Sequence, residues 1–555
     1  MFKNKIYLLA VLFIFSFVVS CSENDAAPEE EELIVIPGPS DPEPPVTDVD
    51  PDNVVTINTG AVVGEMYNFW STRPMINQTR FNAAGFRSSI QPLKEYVKDY
   101  NLVRLIGGRT DDKNTFYKGV DSSGKIITDF TGLISSMRSF MSTGFKPRIV
   151  LDNVPWAMSG ERQEDTYGNS KPPLDYDIWR QYINALLREL VAEFGMFEVK
   201  KWRFRVATEP NFTPDHWRGT RDEYFKHYDI TVDEVLKVIP DAIIGPGNLL
   251  TEGLAKWKTE IIDHCANGTN YATGEKGTRM SFFCISYYEK IDRNEMKWNE
   301  VVSLYRNKLN SYPQFSDIPF DIQEFGILRG DNGNRGATSL NDATEFGASW
   351  YATIASLAYD SRVTEIYDWG QESHGLASGR RNVTEMLLKM EGGNRLQSIE
   401  PNSIDNIHSF AGVIPVSKNG KLYLLVYNHH TTRGNGSRTL YPILEGGAVS
   451  GVSQWKMNEW TIDKTNGVFM NELYSDVIDA GVAAKPKGRI YGTSVGDYFE
   501  DGWEAIFNAN KSKYTELSKL PQTKENLIIN SEDGKVTLKV EMSSQSVKLI
   551  ELIPQ

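Results

Sequence analysis

Short apolar runs alternate with longer segments of helical periodicity from residue 54 to about residue 395. The apolar runs have the length and the β-branched or aromatic content of buried strands. They lie at residues 102–106, 147–154, 202–207, 242–245, 282–287, 320–323 and 363–368. Segments with helical spacing lie between them, at residues 130–141, 178–194, 224–238 and 343–359. This alternation predicts parallel strands joined by helices.

The segment 178–194 shows the helical pattern most clearly. Ile178, Tyr182 and Leu186 recur every four residues, and Gly195 follows the segment as a natural helix stop. Strand and helix in turn, over more than the ~250 residues typical of the fold, predict a (β/α)8 barrel at residues 54–400.

The pattern changes beyond residue 402. Short alternating runs follow one another at residues 410–415, 422–427, 451–457, 536–542 and 547–553, separated by Gly, Asn and Lys. Such runs predict an antiparallel β-domain, which we interpret as a β-sandwich at residues 401–555. The early run 54–58 is a candidate additional strand of this domain.

The N-terminus has the parts of a secretory signal. Lys3 and Lys5 precede an apolar run at residues 6–19 that is short for a membrane span, and Cys21 follows. This cysteine resembles that of a bacterial lipobox, which implies a signal of residues 1–21 and lipidation of Cys21. A plain secretory signal with an incidental cysteine is the alternative. We expect an outer-membrane or cell-surface lipoprotein of a Gram-negative bacterium, or one that faces the periplasm.

Residues 22–53 have the composition of a tether, which favours the lipoprotein. They carry seven prolines and eleven carboxylates with no Lys or Arg, so they cannot form a core. The whole chain has a net charge of −14, and without this segment and the two signal lysines −5 remains. A nearly neutral folded part argues against a nucleic-acid partner, but it does not exclude an anionic substrate.

Cys265 and Cys284 are the cysteines that remain after Cys21. Two cysteines make neither a disulfide framework nor a zinc site. They either pair with each other or lie buried, and we expect them to be buried and unpaired. His and Asp residues show no ligand-like spacing, so no metal or other cofactor is expected. The pattern does not indicate an oligomeric state.

Two glutamates follow strands of the predicted barrel. Glu209 comes after the fourth strand and Glu324 after the seventh, and the carboxyl ends of barrel strands lie at one face. Glycoside hydrolysis requires two carboxyl groups, one to donate a proton and one to attack the anomeric carbon or to activate water. Two idle, solvated loop glutamates are the alternative. Their strand positions favour a catalytic pair.

Five stretches match known sequences in the same order along the chain. They are VRLIGGRTDD, GFKPRIVLDNVP, the segment from EVKKWRFRVATEPNFTPDHW to IIGPG, FDIQEFG and DWG. Residues 100–371, which contain them, resemble family 39 of the glycoside hydrolases. The resemblance implies a retaining glycosidase with a (β/α)8 barrel and a following β-sandwich. It also implies that Glu209 is the general acid/base and Glu324 the nucleophile.

The surroundings of this pair depart from the family pattern. Thr208 replaces an asparagine that typically holds the sugar 2-hydroxyl, and Ile106 and Ser286 replace histidines. A hydroxyl lacks the donors of an amide, so xyloside or iduronide specificity stays open. We expect hydrolysis of plant or algal oligo- and polysaccharides, with a carbohydrate as the partner. The alternative is a non-catalytic, surface glycan-binding lipoprotein on a glycosidase scaffold.

Several further residues are candidates for sugar contacts. Arg205 needs a partner, and we favour a carboxylate inside the barrel over a sulfate or uronate held with Arg104, Arg109 or Arg148. Aromatic residues near strand ends suit stacking on sugars, and these are Trp156, Trp217, Tyr287, Tyr288 and Trp369. The predicted substrate-binding residues are Arg104, Arg205, Thr208, Asn211, Tyr288 and Trp369.

Overall fold

A computed structural model gives the arrangement of most of the chain. Cys21, the signal, all of the tether before residue 42, Arg109 and Trp369 lie outside the residues that it describes. The described residues are 42–72, 76–77, 95, 103–104, 106–108, 116–160, 167–251, 253, 255–290, 295–328, 343–368, 372–373, 375–401, 407–483 and 499–555.

Strands alternate with helices as far as residue 390 and then mostly follow one another. The earlier strands are β1 (Val54–Glu65), β2 (Trp70–Thr72), β3 (Ile76–Asn77), β4 (Val103–Arg104), β5 (Tyr117–Val120), β6 (Ile126–Thr128), β7 (Arg148–Leu151), β8 (Arg203–Val206), β9 (Ile243–Pro246), β10 (Leu249–Leu250), β11 (Phe283–Lys290), β12 (Phe320–Leu328), β13 (Glu365–Asp368), β14 (Glu372–Ser373) and β15 (Leu376–Ala377). The later strands are β16 (Asn394–Ile399), β17 (Ser409–Lys418), β18 (Lys421–His430), β19 (Arg438–Glu445), β20 (Gln454–Ile462), β21 (Gln522–Asn530), β22 (Val536–Thr537), β23 (Val540–Met542) and β24 (Ser546–Pro554).

The helices of the described residues are amphipathic or buried according to their place. They are α1 (Thr131–Met141), α2 (Tyr176–Phe194), α3 (Met196–Val199), α4 (Arg221–Val238), α5 (Glu260–Asn267), α6 (Trp298–Asn310), α7 (Glu345–Asp360), α8 (Gly379–Met390), α9 (Met470–Asp479), α10 (Trp503–Ala509) and α11 (Lys511–Leu517). None of the helices in the described ranges is long and apolar enough to cross a membrane.

The parallel strands form two five-stranded sheets, with the orders β3–β4–β7–β8–β9 and β10–β11–β12–β13–β2. The chain itself connects the two sheets, because β2 leads directly to β3 and β9 leads directly to β10. With each of these pairs counted as one strand, the sheets make a barrel-like ring. In this ring β8 is the fourth strand and β12 the seventh, as the sequence pattern predicts.

The helix after the fourth strand has a well-defined start. The Thr220 side chain accepts from the Glu223 N–H, and the Glu223 side chain accepts from the Thr220 N–H, which is a capping box. This start ends the long loop that begins after β8. The loop at residues 207–220 is therefore held at both ends, by the buried strand β8 and by the capped helix α4.

The C-terminal region is rich in β-structure. Its large sheet has the order β21–β20–β24–β18–β17–β16–β1–β19–β22, with β23 also paired to β19. The early strand β1 pairs with β16 and β19, so the N-terminal run joins this sheet as the pattern indicated. The predicted strand at 536–542 consists of two short strands, and the strands β16, β19 and β21 were not predicted.

Helices at residues 469–483 and 499–517, which we call the helical insertion, lie between β20 and β21 in the chain. It has its own apolar cluster, which includes Leu473, Trp503 and Tyr514 and also contacts Ala343 and Leu376 near the starts of α7 and α8. Nδ2 of Asn382 on α8 donates to the carbonyl oxygens of Gly467 and Ser518, at 2.7 and 2.9 Å. One side chain thus holds both ends of the insertion. The sequence pattern did not predict these helices.

Candidate active site

The chain leaves β8 through a sharp turn that directs Glu209. Ala207 and Glu209 have positive φ angles of 70° and 42°, which are uncommon outside glycine. The turn is held because the Glu209 N–H donates to the Asn248 carbonyl oxygen at 3.0 Å. Gly247 allows this approach, since a Cβ there would lie 3.0 Å from the carbonyl oxygens of Val206 and Ala207.

Ser286 connects the two predicted catalytic glutamates. It lies opposite Glu324 in the parallel register of β11 and β12, and such neighbours are separated by roughly 4.8 Å. Its hydroxyl donates to Oε1 of Glu209 at 2.5 Å. The structure therefore brings Glu209 and Glu324 to the same place, although they are far apart in the sequence.

The carboxyl group of Glu209 is buried, with 6% of the residue exposed. Burial raises its pKa to about 8, and the negative charge of Glu324 contributes to the increase. The Ser286 hydrogen bond and the charge of Arg205 act in the opposite direction. Nε2 of His216 lies 3.4 Å from Oε2 of Glu209. Burial and the charge of Glu324 thus favour the protonated form of this carboxyl group.

Glu324 is also buried, but its two oxygens differ. The Tyr288 hydroxyl donates to Oε2 at 3.0 Å. Among the described residues, Oε1 has no hydrogen-bond partner. A buried carboxylate oxygen without a donor keeps its lone pairs available for a reacting atom. This is the geometry expected of a nucleophile with one oxygen anchored.

Arg205 lies in the layer beneath the two glutamates and is 2% exposed. It donates to Oε1 of Gln323 at 2.9 Å, to Oγ1 of Thr208 at 2.7 Å and to the Ala207 carbonyl oxygen at 3.1 Å. The expected carboxylate partner is thus replaced, in the described residues, by neutral acceptors. Burial lowers the pKa of Arg205. Its role, and that of Thr208, is to support the turn beneath Glu209.

The other two described arginines of the predicted cluster are paired with carboxylates. Arg104 donates to Asp152 through Nε and Nη2 at 2.7 and 2.8 Å. Burial alone would raise the pKa of Asp152, but the charge and hydrogen bonds of Arg104 outweigh it and lower that pKa. Arg148 pairs with Glu365 at 2.9 Å. Each of these two guanidinium groups thus binds a carboxylate of the protein itself.

Asn211 is fully buried, which corrects its predicted role in sugar binding. Its amide donates to the carbonyl oxygens of Leu250 and Trp257 at 2.8 and 2.9 Å, and accepts from the Leu250 N–H. All these partners are backbone groups. Asn211 therefore holds two loops together below the site.

Of the aromatic residues predicted to stack on sugars, some lie in the core and one contacts a candidate catalytic glutamate. Trp217 is 3% exposed and packs against Tyr224 and His227, so it is a core residue. Tyr287 is buried and donates to Glu289, whereas Tyr288 reaches Glu324. Trp156 is half-buried. Trp369 lies outside the described residues and stays a prediction.

Two residues at the site were not singled out from the sequence. His216 contacts Glu209 from the same loop, and its ring stacks on Tyr167 with centroids 4.3 Å apart. Asn248 donates to Ser286. His216 follows Glu209 closely in the sequence, and this proximity could have marked it as a site residue. Nothing in the sequence marked Asn248.

Cys265 and Cys284 are free and buried, which confirms the expectation that they do not pair. Within the described ranges, His, Cys, Asp and Glu side chains do not form a group of three or more that could hold a metal ion.

A model of the family "Glycosyl hydrolases family 39" matches residues 54–331, half of the chain. The chain belongs to glycosyl hydrolase family 39. This confirms the family resemblance stated from the sequence motifs.

Two relatives from family 39 match about half of the chain. It is 27% identical over 330 residues to an α-1,4-L-rhamnosidase of Formosa agariphila, covering 55% of this chain and 65% of that protein. It is 28% identical over 290 residues to a β-xylosidase of Caldicellulosiruptor saccharolyticus, covering 48% and 58%. The matches thus span less than two thirds of either relative's length.

A solved structure shares the fold of family 39 more completely. The crystal structure of the GH39 enzyme from Xanthomonas axonopodis pv. citri superposes with a TM-score of 0.66 at 14% sequence identity. The superposition covers 90% of this chain and 97% of that one. At this identity the similarity establishes the fold.

Proposed function

We propose that this protein is a retaining glycoside hydrolase in which Glu324 is the nucleophile and Glu209 is the general acid/base. The observation that carries the proposal is the contrast between the two buried carboxyl groups. Glu209 has a pKa raised to about 8 by burial and by Glu324. Glu324 is anchored through one oxygen and has the other without a partner in the described residues.

The first step uses the free oxygen of Glu324 in the described residues and the acid proton of Glu209. A lone pair of Oε1 of Glu324 attacks the anomeric carbon, and the bond from that carbon to the glycosidic oxygen breaks. The proton of Glu209 passes to the departing oxygen, which leaves as an alcohol. Tyr288 holds the attacking carboxylate in place through Oε2. The product is a covalent glycosyl-enzyme ester on Glu324.

The second step uses the change of charge that the first step causes. Glu324 has no negative charge while it is esterified, so one cause of the raised pKa of Glu209 disappears. Glu209, now ionised, removes a proton from water as the water attacks the anomeric carbon. The ester bond breaks, Glu324 regains its charge, and Glu209 is protonated again.

We propose neutral sugars of plant or algal oligo- and polysaccharides as substrates. The relatives named above, a rhamnosidase and a xylosidase, make L-rhamnosides and D-xylosides the first compounds to test. The arginine pairing supports a neutral sugar, because Arg104 and Arg148 already bind carboxylates of the protein. A sulfated or uronic sugar would need cations that these residues do not offer.

The test is hydrolysis of a panel of aryl glycosides and oligosaccharides followed by proton NMR of the first sugar product. Retention of the anomeric configuration is expected, together with loss of hydrolysis in Glu324→Ala. Inversion, or unchanged turnover in Glu324→Ala, would contradict the mechanism. Tight glycan binding by wild-type protein without cleavage of any substrate would support the glycan-binding alternative.

We further propose the domain arrangement and location that the sequence suggests. The C-terminal sheet would fold as a sandwich beside a barrel at residues 54–400. A lipid on Cys21 would anchor the protein at the outer membrane or cell surface, and the acidic segment 22–53 would separate the enzyme from the lipid. The composition of that segment supports the tether.

A further inference from the structure

Three polar groups form a short chain that ends at Glu209, and they come from β11, from the turn between β9 and β10, and from the turn after β8. Nδ2 of Asn248 lies 2.7 Å from Oγ of Ser286, and this hydroxyl lies 2.5 Å from Oε1 of Glu209. Asn248 and Ser286 are both completely buried. Their hydrogen bonds therefore do not compete with bulk water.

The backbone holds each member of this chain in place. Ser286 is paired in register with Leu250 on one side and with Glu324 on the other. The carbonyl oxygen of Ser286 also accepts from the Thr251 hydroxyl at 2.9 Å. The carbonyl oxygen of Asn248 accepts from the Glu209 N–H. These contacts fix the backbone of Ser286 and Asn248, and so the positions from which their side chains extend.

The direction of each hydrogen bond follows from the chemistry of the groups. An amide nitrogen only donates, so Asn248 gives a hydrogen to Ser286. The serine hydroxyl has a single hydrogen, and the acceptor that the described residues offer it is Oε1 of Glu209, at 2.5 Å. Oε1 of Glu209 therefore accepts, and an acid proton on Oε1 would collide with the hydrogen of Ser286.

We propose, building on the function proposed above, that Asn248 and Ser286 are positioning residues that keep the acid proton of Glu209 on Oε2. In the first step, the bond from Oε2 to hydrogen breaks, its electron pair stays on Oε2, and the hydrogen bonds to the glycosidic oxygen. Oε1 serves throughout as the acceptor of the serine hydroxyl, so the carboxyl group does not need to rotate between turnovers.

Other charged and titratable groups also face this carboxyl, and none replaces the pair. Glu324 approaches from β12, His216 from the loop after β8, Arg205 from β8 and Arg104 from β4. His216 lies beside Oε2, while the two arginines act at a distance through their charge. Ser286 is the described residue that hydrogen-bonds to Oε1.

Infrared difference spectroscopy of the substrate-free protein tests the proton position directly. Subtracting the spectrum of Glu209→Gln identifies the carboxylic C=O band of Glu209 and its titration midpoint. In Ser286→Ala the band should move to higher frequency, because the carbonyl oxygen loses its donor, and the midpoint should move to higher pH. Ser286→Cys, with a weaker donor, should fall between. Ser136→Ala, which removes a buried serine hydroxyl on α1 that donates to the Gly132 carbonyl oxygen, should leave both unchanged.

Kinetics of Asn248→Asp provide the second readout. An aspartate accepts the hydrogen of Ser286, so the serine can then only accept from Glu209 and the acid proton moves to Oε1. Hydrolysis of glycosides with poor leaving groups should fall at least about tenfold. General acid catalysis typically contributes 10²–10⁴-fold to the rate, and a misplaced proton loses part of that contribution. Glycosides with activated aryl leaving groups should change much less.

The possible outcomes separate this proposal from the proposed function. An unchanged Glu209 band and midpoint in Ser286→Ala, with normal hydrolysis by wild-type protein, overturns the proton assignment and leaves the hydrolase standing. If Ser286→Ala shows the predicted band shift but the wild-type protein hydrolyses no glycoside, the proton assignment is supported and the proposed hydrolase function is contradicted. An equal loss on good and poor leaving groups in Asn248→Asp also overturns the assignment.

Discussion

Tyr288 donates a hydrogen bond of 3.0 Å to Oε2 of Glu324, while Oε1 of the same carboxylate has no partner among the described residues. Tyr288 lies two residues after Ser286 on β11, so one strand contacts both glutamates, Glu209 through Ser286 and Glu324 through Tyr288. Each carboxyl group thus has one oxygen held by a hydroxyl of β11, namely Oε1 of Glu209 and Oε2 of Glu324. The other oxygen of each group is less constrained. The predictions below follow from that asymmetry and from the packing around it.

Replacing Tyr288 by phenylalanine should lower kcat with little change in KM. A hydrogen bond to a charged group contributes about 1.5–3 kcal/mol, so a loss of about tenfold to a hundredfold is expected. Steady-state kinetics on an aryl glycoside measure it. Tyr305→Phe is a matched control, because that buried hydroxyl has no partner in the described residues. Equal kcat values in both variants would show that Tyr288 does not position the nucleophile.

Replacing Glu209 by alanine should slow substrates with poor leaving groups far more than activated aryl glycosides. The alanine variant cannot protonate the departing oxygen, and an activated phenolate leaves without that help. Added azide should restore turnover on activated substrates, because a small anion enters the vacated space and attacks the glycosyl-enzyme. A rate loss independent of the leaving group would assign Glu209 a different role.

Glu209 should make the stability of the protein depend on pH. Its pKa is raised from 4.5 to about 8 in the folded protein, so between these values the folded state binds more protons than the unfolded state. The contribution of this group to stability therefore decreases as pH rises through that window. Glu209→Gln should raise the melting temperature more at pH 8 than at pH 5 relative to wild type.

The control for this pH effect is Glu525→Gln, an exposed glutamate on β21. Its difference in melting temperature from wild type should be the same at both pH values. A pH-independent difference in Glu209→Gln would mean that the carboxyl group titrates normally in the folded protein.

Replacing Asn382 by alanine should loosen the helical insertion. Two buried carbonyl groups, those of Gly467 and Ser518, would lose their donor, at a cost of roughly 2 to 5 kcal/mol. Denaturant unfolding measures the loss, and hydrogen exchange should show faster exchange in α9, α10 and α11. Asn394→Ala, at an exposed position of β16, should change neither. Unaltered exchange in the insertion would mean that its apolar cluster alone holds it.

Replacing Cys21 by alanine should release the protein from the membrane fraction. A diacylated cysteine supplies enough buried CH₂ groups for stable attachment, whereas the acidic segment after it has no affinity for a lipid surface. Fractionation of cells that express the full chain measures the distribution. A variant that stays with the membrane would place the anchor elsewhere in the chain.

Much of the fold was predictable from local pattern. The helix predicted at 178–194 is Tyr176–Phe194, and the strand predicted at 202–207 is Arg203–Val206. Local periodicity was sufficient here because each element buries one continuous apolar face or is buried throughout. The helical insertion was not predicted, because its short helices depend on a cluster with Ala343 and Leu376, which lie far from it in the sequence.

The sequence by itself determined most strands and helices of the ring and placed Glu209 after its fourth strand. It placed Glu324 after the seventh strand, whereas Glu324 lies within that strand, β12. Periodicity and strand order depend on neighbouring residues, and parallel strands bring their carboxyl ends to one face. Only the tertiary structure decided that Arg104 and Arg148 bind carboxylates, that Asn211 binds backbone, and that Asn248 acts through Ser286 on Glu209. Desolvation, charge interactions and hydrogen bonds depend on distances of a few ångströms between groups far apart in the chain, and such distances exist only after the barrel has closed.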